Sequence, residues 1–204
     1  MSVVFTTVTV DSIAMCADKQ YTNMLTKEKN DEATKIEKWS HSLAVGYAGN
    51  FALVDEIKRC VKSIVFEKGI DRYTLEEIAD LFAQGYYAFQ DEYDVPSGIV
   101  GKVIVAGVLE NGSMGAATIF MMDGVPDTEF YSATESPMTF IFAPEDMDEE
   151  GCNQLFGKAI KDTLRQKKLF YDIIESSHRK AVRYVAEKSE FVGYKTDFLM
   201  IKRQ

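Results

Sequence analysis

Segments that favour strands and segments that favour helices follow each other in an order that constrains the fold of this chain. Strand segments contain β-branched residues or alternate between apolar and polar side chains. Helix segments place apolar residues at steps of three and four, which creates one apolar face. The predicted strands cover 2–10, 13–17, 35–39, 42–48, 103–109, 114–122, 129–132, 138–142 and 198–201. The predicted helices cover 54–64, 75–89, 149–166 and 169–188.

This order is strands, a helix pair, more strands, a second helix pair and a final strand. Two antiparallel sheets stacked between the helix pairs would use every apolar face. We therefore predict an α+β fold, an αββα four-layer sandwich, in a single domain over residues 1–204.

Local patterns refine this prediction. Thr74 and Glu77 have the spacing of a capping box at the start of the second helix. The apolar face of the first helix includes Ile64. Residues 35–39 alternate in the manner of a strand that exposes one face, and residues 19–34 show no period and are predicted to form a loop.

Composition and net charge indicate which partners the chain can bind and in which cellular compartment it works. The net charge of −9 argues against nucleic acid, which requires a basic face. No segment is long and apolar enough to span a membrane, and the N-terminus shows no signal peptide. Cys16, Cys60 and Cys152 are predicted to be free and buried, as in a reducing compartment. We expect a soluble, cytoplasmic protein that binds neither nucleic acid nor membrane.

The sequence predicts no metal site and no cofactor. His41 and His178 lack the spacing of metal ligands, and no phosphate-binding glycine loop is found. The acidic run 145–150 could attract a cation, but its charge also complements the N-terminal end of a helix. We favour the second role.

Four residues in the first quarter of the chain could form a hydrolytic site. The turn after the first strand brings Ser2 and Asp18 to the same end of a hairpin. Lys35 begins the following strand, and Gly49 ends the one after it. A hydroxyl, a carboxylate, an ammonium group and a backbone N–H could thus meet at one sheet edge.

Such a group could catalyse acyl transfer. A serine hydroxyl needs a base, and the α-amine of Ser2 would be one if Met1 were removed, because such amines titrate near neutral pH. The Lys35 ammonium would favour the neutral amine, and Asp18 would hold it through a charge-assisted hydrogen bond. The Gly49 N–H would stabilise the oxyanion.

The pattern resembles the opening of proteasome β-type subunits, and it is most similar to bacterial proteasome-like peptidases that partner an unfolding ATPase. The resemblance covers about the first third of the chain. It rests on Ser2, on Asp18, and on the segments 35–38 and 45–50.

The resemblance implies an N-terminal nucleophile hydrolase with Ser2, Asp18, Lys35 and Gly49 as catalytic residues, and with Tyr47 lining the specificity pocket. It implies that copies of the chain assemble into rings, with an ATPase unfoldase or another assembly partner as a candidate. Replacing Ser2 or Lys35 by alanine is expected to abolish hydrolysis and to leave the fold intact.

The chain also departs from the family pattern. Serine replaces the usual threonine, and residues 132–136 lack the glycines of a Gly-Ser-Gly turn. The family has an aspartate before a Ser-Gly-Gly turn near its end. Here Ser189 or Glu190 occupies that neighbourhood, before Val192 and Gly193.

Three functions are compatible with these observations. The first is a peptidase that uses Ser2. The second is an inactive structural or assembly subunit that retains the fold with Met1 unprocessed, so that the amine lies in a peptide bond. The third is hydrolysis of a small-molecule amide. Self-cleavage could instead expose Thr6 or Thr7, but the hairpin sets Thr6 far from Asp18.

Overall fold

The structure is a computed structural model of the chain, and it describes residues 2–22, 26, 28–92, 101–121, 125–133, 136–166 and 169–203. Strands within these residues are β1 (Val4–Val8), β2 (Ser12–Asp18), β3 (Tyr21–Thr22), β4 (Lys29–Asn30), β5 (Ile36–Lys38), β6 (Leu43–Gly49), β7 (Gly101–Val108), β8 (Met114–Met121), β9 (Asp127–Ser132), β10 (Met138–Phe142) and β11 (Thr196–Lys202). Helices are α1 (Phe51–Lys68), α2 (Leu75–Glu92), α3 (Glu149–Leu164) and α4 (Phe170–Ala186), and Ile70–Arg72 forms a 3₁₀ turn. The predicted order of strands and helix pairs is confirmed.

The described residues divide into two compact units. Unit 1 contains residues 2–7, 14–36 and 139–200. Unit 2 contains residues 8–13, 37–138 and 201–203. The single domain over 1–204 stays a prediction.

Unit 2 is built on the sheet β5-β6-β7-β8-β9, with the helix pair α1 and α2 on one face. The strands β6 to β9 are antiparallel. Alternate residues of β6, namely Leu43, Val45 and Tyr47, share one buried cluster with Ile57 of α1 and Phe82 of α2. This is the two-residue period of a strand meeting the apolar stripes of two helices.

Unit 1 holds most of the sheet β10-β1-β2-β11. Val3, Phe5 and Cys16 share a buried cluster with residues of α3 and α4. The rings of Phe5 and Phe156 stack at a centroid distance of 5.3 Å. Each sheet therefore carries one helix pair, as the order of elements predicts.

The capping box at the start of α2 is confirmed. The Thr74 N–H donates to Glu77 Oε2 at 2.9 Å, and the Glu77 N–H donates to Thr74 Oγ1 at 3.1 Å. These two bonds satisfy donors that the first turn of a helix leaves without partners.

Two predictions about residues 19–39 were wrong in part. The region predicted as a loop contains β3 and β4, which pair antiparallel. The strand predicted to expose one face is shorter than predicted; Lys38 is exposed, but Lys35, Ile36 and Trp39 are buried. A short alternating pattern does not show whether its polar face meets solvent or another element.

The apolar face of α1 also differs from its prediction. Ile64 is exposed, and Val65 takes the buried position. Cys60 lies outside this stripe and is exposed, so its predicted burial was wrong, whereas Cys16 and Cys152 are buried.

His178 is a buried imidazole on α4. Its Nδ1 lies 2.8 Å from the Ile174 carbonyl oxygen, and its Nε2 lies 3.1 Å from Thr7 Oγ1. Because a carbonyl only accepts, Nδ1 carries the proton and the Thr7 hydroxyl donates to Nε2. The rings of Phe156 and Phe198 pack edge-on against it, and burial lowers the pKa of His178 to about 4.

We predict that His178 makes the free energy of unfolding depend on pH between about 4 and 6.5. In this window the unfolded chain protonates the imidazole and the folded chain does not. Stability therefore falls as the pH decreases from 6.5 towards 4, by about 3 kcal/mol from this group. Urea unfolding across this range measures the effect.

His178→Gln should reduce this pH dependence, because glutamine does not titrate. His41 is exposed, and His41→Gln is the matched control that should retain the dependence. An unchanged pH dependence in His178→Gln would contradict the prediction.

Candidate active site

The Asp18 carboxylate is the buried centre of the polar group that the sequence predicts. Its side chain is 0% exposed at the end of β2. Oδ1 accepts from the Val3 N–H at 3.0 Å. Oδ2 accepts from Lys35 Nζ at 2.8 Å and from the N–H groups of Gln20 at 2.9 Å and Gly193 at 3.3 Å. These donors offset the cost of burying the charge.

Lys35 lies immediately before β5 and is 2% exposed. Its ammonium group donates to Asp18 and to the Gln20 carbonyl oxygen. Burial raises the pKa of Asp18 and lowers the pKa of Lys35, while the charge of each partner opposes the shift. The predicted Asp18–Lys35 pair is therefore formed, and the alternative of Lys35 on a solvated strand face is wrong.

Ser2 lies at the same end of the β1–β2 hairpin as Asp18, as predicted. The neighbouring residue Val3 exchanges two hydrogen bonds with Asp18, since the Asp18 N–H also donates to the Val3 carbonyl oxygen at 3.4 Å. Ser2 is 7% exposed. Met1 lies outside the described residues, so its removal stays a prediction.

Gly49 and Tyr47 belong to β6 in unit 2. Gly49 has a φ of +111°, a conformation that glycine adopts readily. The Tyr47 side chain is 2% exposed in the core of this unit, and Lys58 Nζ donates to its hydroxyl at 3.0 Å. This burial leaves the ring little surface for a substrate contact. The pocket-lining role of Tyr47 and the oxyanion role of Gly49 stay predictions.

Sequence reasoning missed Gln20, whose main chain and side chain both contribute to the site. Its N–H donates to Asp18, its carbonyl oxygen accepts from Lys35, and its Nε2 donates to the Glu190 carbonyl oxygen at 3.0 Å. The available signal was its position two residues after an aspartate that ends a strand. Aspartate side chains commonly accept a bond from the N–H two residues further on.

The acidic run before α3 contains two different roles. Asp148 is the N-cap of the helix, where its side chain accepts from the Gly151 N–H, as the prediction of a charged helix start implies. Asp146 has a role that the sequence did not indicate. Its two oxygens accept from the Ser189 hydroxyl at 2.7 Å and from the Glu190 N–H at 3.1 Å.

Other features of the described chain lie apart from these residues. Unit 2 contains a cavity of about 360 Å³, lined from the segments 40–43, 70–75 and 108–110, none of which includes a predicted site residue. Residues 132–136, where the family has its Gly-Ser-Gly turn, fall partly outside the described residues. Within the described ranges, no group of three or more His, Cys, Asp or Glu side chains could hold a metal ion. Of the helices described, none is long and apolar enough to cross a membrane.

Comparison with known proteins identifies the fold. No family model matches the chain, and no curated protein matches it in sequence. The structure is similar to that of eukaryotic HslV from Trypanosoma brucei, with a TM-score of 0.63 and 14% identity over 98% of this chain and 99% of that one. It is also similar to Anbu, an ancestral β-subunit from Yersinia bercovieri, with a TM-score of 0.68 and 13% identity over 98% of this chain and 81% of that one.

These likenesses show that the chain has the proteasome-like fold of the N-terminal nucleophile hydrolases. The fold implied by the resemblance in the first third of the sequence is confirmed, because the structural likeness extends over 98% of the chain. At this level of sequence identity the likeness establishes only the fold, and any activity has to be argued from the residues of the site.

We predict that Lys35→Met lowers the free energy of unfolding by about 3 to 5 kcal/mol, because the Asp18 carboxylate would remain buried without its counter-ion. This revises the expectation from the sequence that removing the Lys35 amine leaves the fold intact. Urea denaturation followed by circular dichroism measures the change.

Lys19→Met is the matched control. Lys19 pairs with Asp197 at 3.3 Å, and both side chains are partly exposed. Its loss should cost about 1 kcal/mol or less. Equal losses of unfolding free energy in the two variants would contradict the prediction, because the buried Asp18–Lys35 pair would then stabilise the fold no more than the partly exposed Lys19–Asp197 pair.

Proposed function

We propose that the chain is a proteasome-like peptidase subunit that hydrolyses peptide bonds with Ser2 as its N-terminal nucleophile after removal of Met1. The observation that carries this proposal is the buried Asp18–Lys35 pair at the hairpin end where Ser2 lies. Burial of an ion pair is costly for a purely structural purpose. Burial raises the pKa of Asp18 and lowers the pKa of Lys35, and groups with perturbed pKa values are common in functional sites.

In this proposal the α-amine of Ser2 removes the hydroxyl proton as Oγ attacks the peptide carbonyl carbon. The Lys35 ammonium, fixed by Asp18, favours the neutral amine and stabilises the developing alkoxide. The C–N bond breaks, the leaving amine takes the proton, and an ester to Ser2 remains. Water then hydrolyses this ester. Gly49 is proposed as the oxyanion donor from the sequence pattern and the resemblance.

Assembly into a ring of identical copies belongs to the same proposal. The likeness to a protein described as an ancestral β-subunit supports a multisubunit assembly. An ATPase unfoldase is proposed as a further partner from the sequence resemblance. Cys16, Cys60 and Cys152 are free, which favours the cytoplasm as the compartment.

A second candidate is an inactive structural subunit with the same fold. The low exposure of Ser2, at 7%, favours this candidate, because a nucleophile must contact its substrate. The departures from the family pattern around residues 132–136 and 189–193 point the same way.

We predict that intact-protein mass spectrometry will show loss of Met1 and a single adduct after treatment with an epoxyketone, which reacts with an N-terminal hydroxyl and amine together. Ser2→Ala should take no adduct. Ser63→Ala, at an exposed serine of α1, should react like the wild type. Retention of Met1 without an adduct would overturn the peptidase proposal and support the structural subunit.

A further inference from the structure

The Gly193 N–H belongs to the set of donors around Asp18, although the two residues are 175 positions apart. It shares Oδ2 with Lys35 and with the Gln20 N–H. Oδ1 is occupied by the Val3 N–H. Because both oxygens have fixed donors, the carboxylate has one preferred orientation, and the direction of the Lys35 ammonium follows from it.

Position 193 requires glycine because of the space around it. An added Cβ would lie 2.8 Å from Gln20 Cβ and 3.0 Å from Asp31 Oδ1. Two carbon atoms do not come within 2.8 Å of each other in a packed protein, so either the added Cβ or Gln20 Cβ would have to move. A side chain at position 193 would therefore push this segment away from Gln20 and lengthen the bond from its N–H to Asp18.

The segment 189–193 is held at two points before it reaches Asp18. Asp146 accepts from both the Ser189 hydroxyl and the Glu190 N–H. On the other side, Gln20 Nε2 and Lys29 Nζ donate to the Glu190 carbonyl oxygen at 3.0 and 2.7 Å. These contacts fix the path of the chain that delivers the Gly193 N–H.

We propose that Gly193 is a positioning residue of the candidate active site, and that Asp146 anchors the segment that carries it. Gly193 keeps the Asp18 carboxylate in the orientation that holds Lys35, and so acts on the reaction through these two side chains. This role rests on the proposed function at Ser2.

The test measures the rate of epoxyketone adduct formation at Ser2 as a function of inhibitor concentration. Gly193→Ala should lower the maximal rate by about tenfold to a hundredfold, because displacements of ~1 Å in a catalytic group have effects of this order. The half-saturating concentration should change by less than about threefold, since the contacts that bind the inhibitor remain.

Gly157→Ala is the matched control. Gly157 lies in α3 with nothing within 4 Å of an added Cβ, so both parameters should stay at wild-type values.

Asp146→Ala provides a second variant that acts on the same segment without steric conflict. It should also lower the maximal rate, and Asp146→Asn should restore part of it, because the amide oxygen can still accept from the Ser189 hydroxyl. Glu145→Ala, at an exposed neighbour in the same acidic run, should react like the wild type.

The outcomes separate this role from the proposed function. Wild-type maximal rates in both folded variants, Gly193→Ala and Asp146→Ala, would overturn the positioning role while Ser2 remains the nucleophile. A change confined to the half-saturating concentration would also overturn it, because these residues would then contact the inhibitor. If the wild type takes no adduct, the proposed function fails and the positioning role fails with it.

Discussion

The burial of one carboxylate, that of Asp18, organises the part of unit 1 on which the proposed chemistry depends. A charge without solvent is tolerated only where donors surround it. Here the donors come from the N-terminal segment at Val3, from the residue that leads into β5, Lys35, and from the segments at Gln20 and Gly193. Segments far apart in sequence are thereby joined to one group, and the nucleophile proposed at Ser2 lies at the end of the strand that this group fixes.

The sequence was sufficient to predict the order of elements and the meeting of Asp18 with Lys35. Periodicity and a turn between two strands are local properties, and local properties can be read from one sequence. The burial of Lys35 was missed, because an alternating pattern does not show what covers its polar face. Asp146 and Gly193 were missed because only the path of the chain after α4 brings them to the site.

The segment after α4 departs from the family pattern, and a distant part of the chain anchors it. The resemblance places an aspartate in this neighbourhood, and the chain has Ser189 and Glu190 there. The structure supplies a carboxylate to the same segment from Asp146, which precedes α3. A segment that lacks a residue of the family pattern can thus still be anchored by a carboxylate from another part of the chain, and the fold alone does not determine activity.

A double-mutant cycle on Asp18 and Lys35 tests most directly whether this buried pair organises the site. The free energies of unfolding of Asp18→Asn, Lys35→Met and the double variant would be compared with that of the wild type by urea denaturation. Asp18→Asn leaves the buried Lys35 ammonium without its counter-ion, and Lys35→Met leaves the buried Asp18 carboxylate without its own. The double variant removes both charges. We predict that the double variant loses about 2 kcal/mol less than the sum of the single variants. Additivity to within about 0.5 kcal/mol would contradict the account, because the two side chains would then act independently.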